Sequence, residues 1–261
     1  MSVSTNRQQV IQSLLKDGKT AYGTFMMLQS GWAARIVGSV GWDWVLIDCE
    51  HGNIGDSDMH ESVTGVAASG ASPVVRIRNA DIGLIKRALD TGAHGLMVPM
   101  VNTAEEARFI VSASKFPPLG IRGQGSPFSS WSSSLVTPEY VQRANESLLT
   151  IVQIETLQAV QNVDAIAAVD GVDCLFIGPN DLALGFLGYA PPKWTEPEYL
   201  ALIDTVVEAC KKAGKPCGIL MPDGEKARWA KEKWGIQVMA LGGDVKALQL
   251  WMGAQLGAAK A

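Results

Sequence analysis

The stretch GWDWVLIDCEHG, residues 41–52, decides how the chain is to be read. Trp44, Val45, Leu46 and Ile47 form a continuous apolar run of strand length, which breaks at once into Asp48, Cys49, Glu50 and His51. A strand that is apolar on both faces belongs inside a parallel sheet, where helices cover one side and core fills the other. Successive residues point to opposite faces, so Asp48 and Glu50 share one side of the strand or its continuation, with His51 at the turn beyond. A buried strand thus ends in a cluster of ionisable groups. The plain alternative is loop solvation, since every strand end must become polar somewhere.

Outward from this stretch the same beat repeats. Residues 21–28 (AYGTFMML) read as a first strand, 72–77 (SPVVRI) as a third with Arg76 near its far end, and 95–100 (GLMVPM) as a fourth. Four more are expected at 148–155, 172–179, 216–221 and 236–242. Helical spacing predicts helices over 32–39, 56–69, 81–91, 138–146, 157–169, 197–213, 223–233 and 244–256, and a short amphipathic helix within 1–19. Gly92 stops one helix, and Thr103 with Glu106 forms a capping box that starts another. Two segments interrupt the rhythm. Residues 116–135, rich in Gly, Pro and Ser, are too long for an incidental connection and read as a functional loop. Residues 180–187 with the following PPKW segment read as a second excursion.

Eight strand–helix alternations in 261 residues fit a single (β/α)8 TIM barrel spanning 1–261, with a doubly wound open sheet as the alternative. Asp48, Glu50, His51, Arg76, Glu155 and Asp181 all fall at or just after strand C-terminal ends. Barrel enzymes build their sites on that rim.

Composition narrows the function. A formal charge of −4 with no basic run gives no support for binding nucleic acid or an anionic membrane, and no segment is long and apolar enough to span a bilayer. Cysteines 49, 174, 210 and 217 show no metal-type pairing and three sit in or beside apolar strands, which suits a reducing compartment, most simply the cytosol. Histidines occur only at 51, 60 and 94, so a multi-histidine zinc site has no basis; His60 and His94 read as surface or packing residues. No lysine stands inside a predicted strand or at its C-terminal end, so a buried Schiff-base amine has no candidate. Glu155 and Asp181 follow the fifth and sixth strands, neighbours in a barrel, where two carboxylates suit Mg2+ or Mn2+ with the other positions left to water and substrate. Each could instead cap the helix that follows it.

Six ordered motifs make the chain resemble the HpcH/HpaI class II aldolases, which cleave 4-hydroxy-2-oxo acids to pyruvate and an aldehyde. They are DCEHG at 48–52, VVRI at 74–77, LMVPMVNTAEEA at 96–107, GIRGQG at 120–125, VQIET at 152–156 and GPNDL at 178–182, and the likeness runs from GTFMML to GILM. The resemblance implies a barrel of the phosphoenolpyruvate/pyruvate type. It implies that Glu155 and Asp181 hold a divalent ion, Mg2+ or Mn2+ with Co2+ a further candidate, which the 2-oxo acid chelates. Arg76 is implied at the keto oxygen and His51 as general base, acting directly or through a water, with Asp48 orienting its ring. Glu50 is implied to order water or a metal ligand. Gly178 and Pro179 are expected to meet the pyruvate carboxylate with their backbone, and Phe25 and Leu220 to give apolar contacts with substrate. Read without the resemblance, Arg76 could simply pair with Asp48 or Glu50, and Phe25 and Leu220 could be core. Gly52, Asn53 and Gln124 depart from common family residues and bear on the aldehyde half. The resemblance further implies a homohexamer with the C-terminal helix packed on a neighbour, although a helix covering its own barrel is equally compatible with the apolar final stretch. An oxaloacetate decarboxylase using the same enolate, or a barrel used only for binding, are the rival functions.

Overall fold

The computed structural model describes residues 10–191 and 194–261. The first nine residues of the expected N-terminal helix, and Pro192 and Lys193 of the PPKW segment, lie outside the described residues. The eight strands close into a parallel barrel in sequence order, which removes the open sheet as an alternative. They are β1 Ala21–Met26, β2 Trp44–Asp48, β3 Ser72–Arg76, β4 Gly95–Val98, β5 Leu149–Ile154, β6 Cys174–Ile177, β7 Cys217–Met221 and β8 Val238–Gly243. The helices are α1 Val10–Lys16, α2 Gly31–Gly38, α3 Asp56–Ser69, α4 Ile82–Asp90, α5 Ala104–Ser114, α6 Thr137–Ser147, α7 Leu157–Gln161, α8 Val163–Ala167, α9 Pro179–Leu187, α10 Pro197–Ala213, α11 Gly224–Trp234 and α12 Asp244–Lys260. None of them is long and apolar enough to cross a membrane.

Strand alternation sorts the apolar residues into two cores. Ala21, Phe25, Trp44, Leu46, Val74, Met97, Leu149, Ile151, Cys174, Phe176, Val238 and Ala240 fill the barrel, joined by Ile11 from α1. The intervening residues, among them Val45, Ile47, Val75, Leu96, Val98, Val152 and Ile177, pack outward under the helices. The chain therefore buries both faces of each strand, as the run at 44–47 demands.

Helix starts follow local chemistry. Thr103 Oγ1 accepts from Glu106 N, and Glu106 Oε2 accepts from Thr103 N, the expected capping box. Gly92, at φ +90°, ends α4 as expected.

Two expectations change, and the irregular loop gains a place. Residues 180–187 form most of helix α9, because Pro179 stands at its first turn, where the missing N–H costs nothing. The helix expected over 157–169 is split into α7 and α8 at Asn162, whose side chain turns away to donate to Asn102 O at 2.8 Å. The loop over 116–135 is not at the rim. Ser126 Oγ donates to Asp90 O, Arg122 Nη2 to Leu89 O and Ser132 Oγ to Gly92 O, so the loop packs on the end of α4 that leads into β4, at the foot of the barrel.

From Lys246 to its end every residue of α12 is exposed, including Leu248, Leu250, Trp251, Met252 and Leu256, so it does not cover its own barrel.

Candidate active site

Alternation carries the barrel interior directly into the site. Beyond the inward residues Leu46, Val74 and Ile151, the next inward positions on β2, β3 and β5 are Asp48, Arg76 and Gln153, and Glu155 follows two residues on. Asp48 and Arg76 are register partners at the ends of adjacent strands. All four side chains are buried, Asp48 completely.

The guanidinium of Arg76 is fixed on several sides. Its Nε donates to Asp48 Oδ1 at 2.9 Å and its Nη2 to Asp48 Oδ2 at 2.6 Å, a bidentate charged pair. Its Nη1 donates to Gln153 Oε1 at 3.3 Å and stands 3.1 Å from Glu50 Oε2, an ion pair off the hydrogen-bond axis. The ring of Phe25 lies beneath, 5.0 Å from the guanidinium carbon. The second hydrogen of Nη2 is left for a ligand. Arg76 thus pairs with Asp48, and also faces the site.

Asp48 differs from the expectation. Its carboxylate does not orient the His51 ring; both oxygens hold Arg76, and Oδ1 also accepts from the backbone N–H of Glu50 and of His51. The His51 side chain is more than half exposed, and its Nε2 lies 3.8 Å from Glu50 Oε2. Glu50, not Asp48, is the carboxylate beside the imidazole.

Glu155 Oε1 accepts from Met100 N at 2.7 Å and Oε2 from Gln153 Nε2 at 3.0 Å. Thr156, not Glu155, caps α7, and Gly178, not Asp181, caps α9, so neither acid serves as a helix cap. Burial raises the Glu155 carboxyl to about 7, opposed by the Met100 N–H and reinforced by the charges of Asp181 and Glu50. Burial likewise raises Glu50, with Arg76 pulling it down and Asp48 and Asp181 pushing it up. Asp181, exposed in the first turn of α9, is therefore close enough to act on both.

Gly178 closes the cluster: a Cβ there would lie 2.1 Å from Glu155 Oε2, so only glycine lets β6 end so close to that carboxylate. Pro179 opens α9, with its carbonyl accepting from Tyr199 OH at 2.7 Å. Leu220, on β7, is partly buried against the barrel interior, and Phe25 is both core and site wall. Gln153 was not expected. It lies in an apolar strand within the VQIET motif at 152–156, where no role was assigned to it, and its position two residues before Glu155, on the same face, was a signal.

The donor set is one of hard oxygens, Glu155 and Asp181 with Glu50 behind them, facing a single guanidinium already committed to Asp48. Carboxylates crowded so that the charge of Asp181 pushes up both Glu50 and Glu155 fit a divalent cation of the Mg2+ or Mn2+ kind. Among the described residues no three His, Cys, Asp or Glu side chains form a ready-made cage. The His94 ring is buried at the opposite end, bonded to Ser72 Oγ at 2.8 Å, and His60 packs its edge on Phe128.

The chain is similar to known proteins over most of its length. The family model described as HpcH/HpaI aldolase/citrate lyase matches residues 21–249. A hydroxypyruvate/pyruvate aldolase of Chromohalobacter salexigens is 40% identical over 235 residues, covering 89% of this chain and 91% of that protein. A 2-keto-3-deoxy-L-rhamnonate aldolase of Salmonella gallinarum is 38% identical over 230 residues, 88% of this chain and 85% of its own. The crystal structure of an HpcH/HpaI aldolase from Desulfitobacterium hafniense superposes with a TM-score of 0.87 at 33% identity, covering 95% of this chain and 96% of that one.

Proposed function

The chain belongs to the HpcH/HpaI aldolase/citrate lyase family, and from that premise we propose that it is a divalent-metal-dependent aldolase that cleaves or forms 4-hydroxy-2-oxo acids through a pyruvate enolate. It is a carbon–carbon lyase. The observation that carries the metal-dependent reading is the rim itself: buried and crowded carboxylates beside one immobilised guanidinium.

Glu155 and Asp181 would hold the divalent ion, which when bound would supply positive charge for the oxygens of the 2-oxo acid. Arg76 places its remaining N–H at the keto oxygen, whose charge grows as the ketone becomes an enolate. Because Asp48, Gln153 and Phe25 already fix the guanidinium, little reorganisation accompanies that step. His51 takes the proton of the 4-hydroxyl in the cleavage direction. The C3–C4 electrons then pass to the pyruvate fragment and the aldehyde leaves. The His51 imidazolium then gives that proton, directly or through solvent at the exposed ring, to C3 of the enolate, which leaves as pyruvate. The backbone at Gly178 and Pro179, at the start of α9, faces the pyruvate carboxylate from a helix N-terminus. Leu220 and Phe25 border the apolar side.

We place the enzyme in the cytosol, where its four free, buried cysteines stay reduced, and assign it a homo-oligomeric form, a hexamer. What supports the oligomer is the exposed apolar length of α12. Replacing Trp251 and Met252 by Asp should lower the mass seen in sedimentation; an unchanged mass removes α12 from any interface.

For the chemistry, protein stripped with EDTA should lose pyruvate release from a 4-hydroxy-2-oxo acid and regain it with Mn2+ or Mg2+. Full turnover in the chelator ends the metal-dependent reading. Product masses from pyruvate with a panel of aldehydes, set beside oxaloacetate consumption, separate aldol chemistry from decarboxylation.

A further inference from the structure

Among the described residues, Met100 is one of two non-glycine residues with a positive φ, at 54°, and it stands where β4 leaves the barrel for the rim. An L-residue in the left-handed region is disfavoured, because its Cβ crowds the following carbonyl oxygen. Strain of this kind persists only where neighbours impose it. Here the turn aims the Met100 N–H at Glu155 Oε1, 2.7 Å away.

The neighbours that impose it converge on Asn102. Its Nδ2 donates to Met100 O at 2.9 Å, inside the turn. Its Oδ1 accepts from the hydroxyl of Thr156, the residue after Glu155. Its backbone O accepts from Asn162 Nδ2 at 2.8 Å, and its N donates to Glu106 Oε2 at 2.6 Å. Val101 N adds a bond to Gln153 O on β5. The ends of two neighbouring strands are stapled to each other, and Glu155 lies between them. The break between α7 and α8 belongs to the same device, because Asn162 leaves the helical pattern at the point where it reaches Asn102.

We propose that Asn102 is a positioning residue for Glu155: it holds Met100 in its left-handed turn, so that the Met100 N–H and the Gln153 amide fix both oxygens of the carboxylate that faces the cation. This rests on Glu155 as a metal ligand. Residues that orient a ligand typically alter metal affinity by about 10–100-fold. Asn102 touches neither substrate nor ion, so it acts through Met100 and Thr156.

The test is calorimetric titration of the purified protein with Mn2+, together with amide hydrogen exchange at Met100 in the metal-free protein. Asn102→Ala should weaken Mn2+ binding at least about tenfold and speed Met100 exchange, with the remaining amides near wild type. Met100→Gly, free of the left-handed penalty, should bind within about twofold of wild type. Met100→Val, whose branched side chain resists that φ, should fall about as far as Asn102→Ala. Adding Met100→Gly to Asn102→Ala should restore part of the lost affinity, which a merely structural role for Asn102 does not predict. If Asn102→Ala fails to fold, the Gly and Val variants at 100 decide alone, and equal affinities for them overturn the proposal. Wild-type affinity and exchange in a folded Asn102→Ala overturn it too. A wild type that binds no Mn2+ instead removes Glu155 as a metal ligand, and the proposal with it.

Discussion

The two ends of the barrel both bury charged groups, and they treat them differently. At the foot, Lys115 donates to the carbonyls of Asn145 and Leu148, Lys215 to that of Val169, and Asp173 accepts from Thr150 N while sitting between the two lysines' fields. Arg122 is wholly buried against Tyr140 OH, the Leu89 carbonyl and the Phe116 ring, with Asp90 3.7 Å away. Cations there meet carbonyls and opposite charges. At the rim, Asp48 and Glu50 pair with one guanidinium beside Glu155, and the Glu50 and Glu155 carboxyls are pushed up by burial and by neighbouring acids, Asp181 among them. Buried polarity alone is therefore no mark of a site; an unbalanced set of buried charges is.

That contrast can be broken by exchange of roles. Glu155→Gln should cut metal-dependent turnover on the order of a thousandfold, the loss expected when several kcal/mol of charge stabilisation go. The melting temperature of the metal-free protein should hold or rise, because a crowded acid has been neutralised. A fall in stability would make Glu155 structural. At the foot the signs reverse. Lys115→Met should destabilise by about 1–3 kcal/mol, seen as a lower urea midpoint, by leaving two buried carbonyls without their donor, yet keep kcat/KM per folded molecule. A kinetic defect there would mean that the two ends are coupled.

The smallest effect is one of pH. Glu155 has a folded pKa of about 7, above its ordinary 4.5, so the folded state holds its proton more tightly. Its contribution to stability is fully present below 4.5 and is lost as pH rises through 7. Melting curves of EDTA-treated protein should therefore fall between pH 5 and 8 more steeply than those of Glu155→Gln. Parallel curves for the two would contradict the assignment.

Much of this was legible in the sequence because the physics is local. Runs such as 44–47 need cover on both faces, strands must alternate with helices to close a parallel barrel, and polar residues at strand ends mark its rim. The family motifs added Arg76, Glu155, Asp181 and His51 as a set. Contacts across the barrel were not legible. Asp48 could be placed beside His51 in the chain but turns to Arg76 on the next strand, and Gln153 looks like any strand residue until Arg76 and Glu155 flank it. Asn162 is tolerated in helices, so nothing local announced the break that Asn102 imposes. The loop over 116–135 was rightly irregular, but which end of the barrel it covers depends on α4.

Gly178 has a consequence for anyone reshaping this pocket. With no room for even a methyl group beside Glu155, that position is closed to diversification, and libraries that randomise it will return mostly dead clones. New aldehyde preferences will have to be sought elsewhere on the rim, as in the exposed loop around His51, where a side chain can change size without meeting the carboxylate.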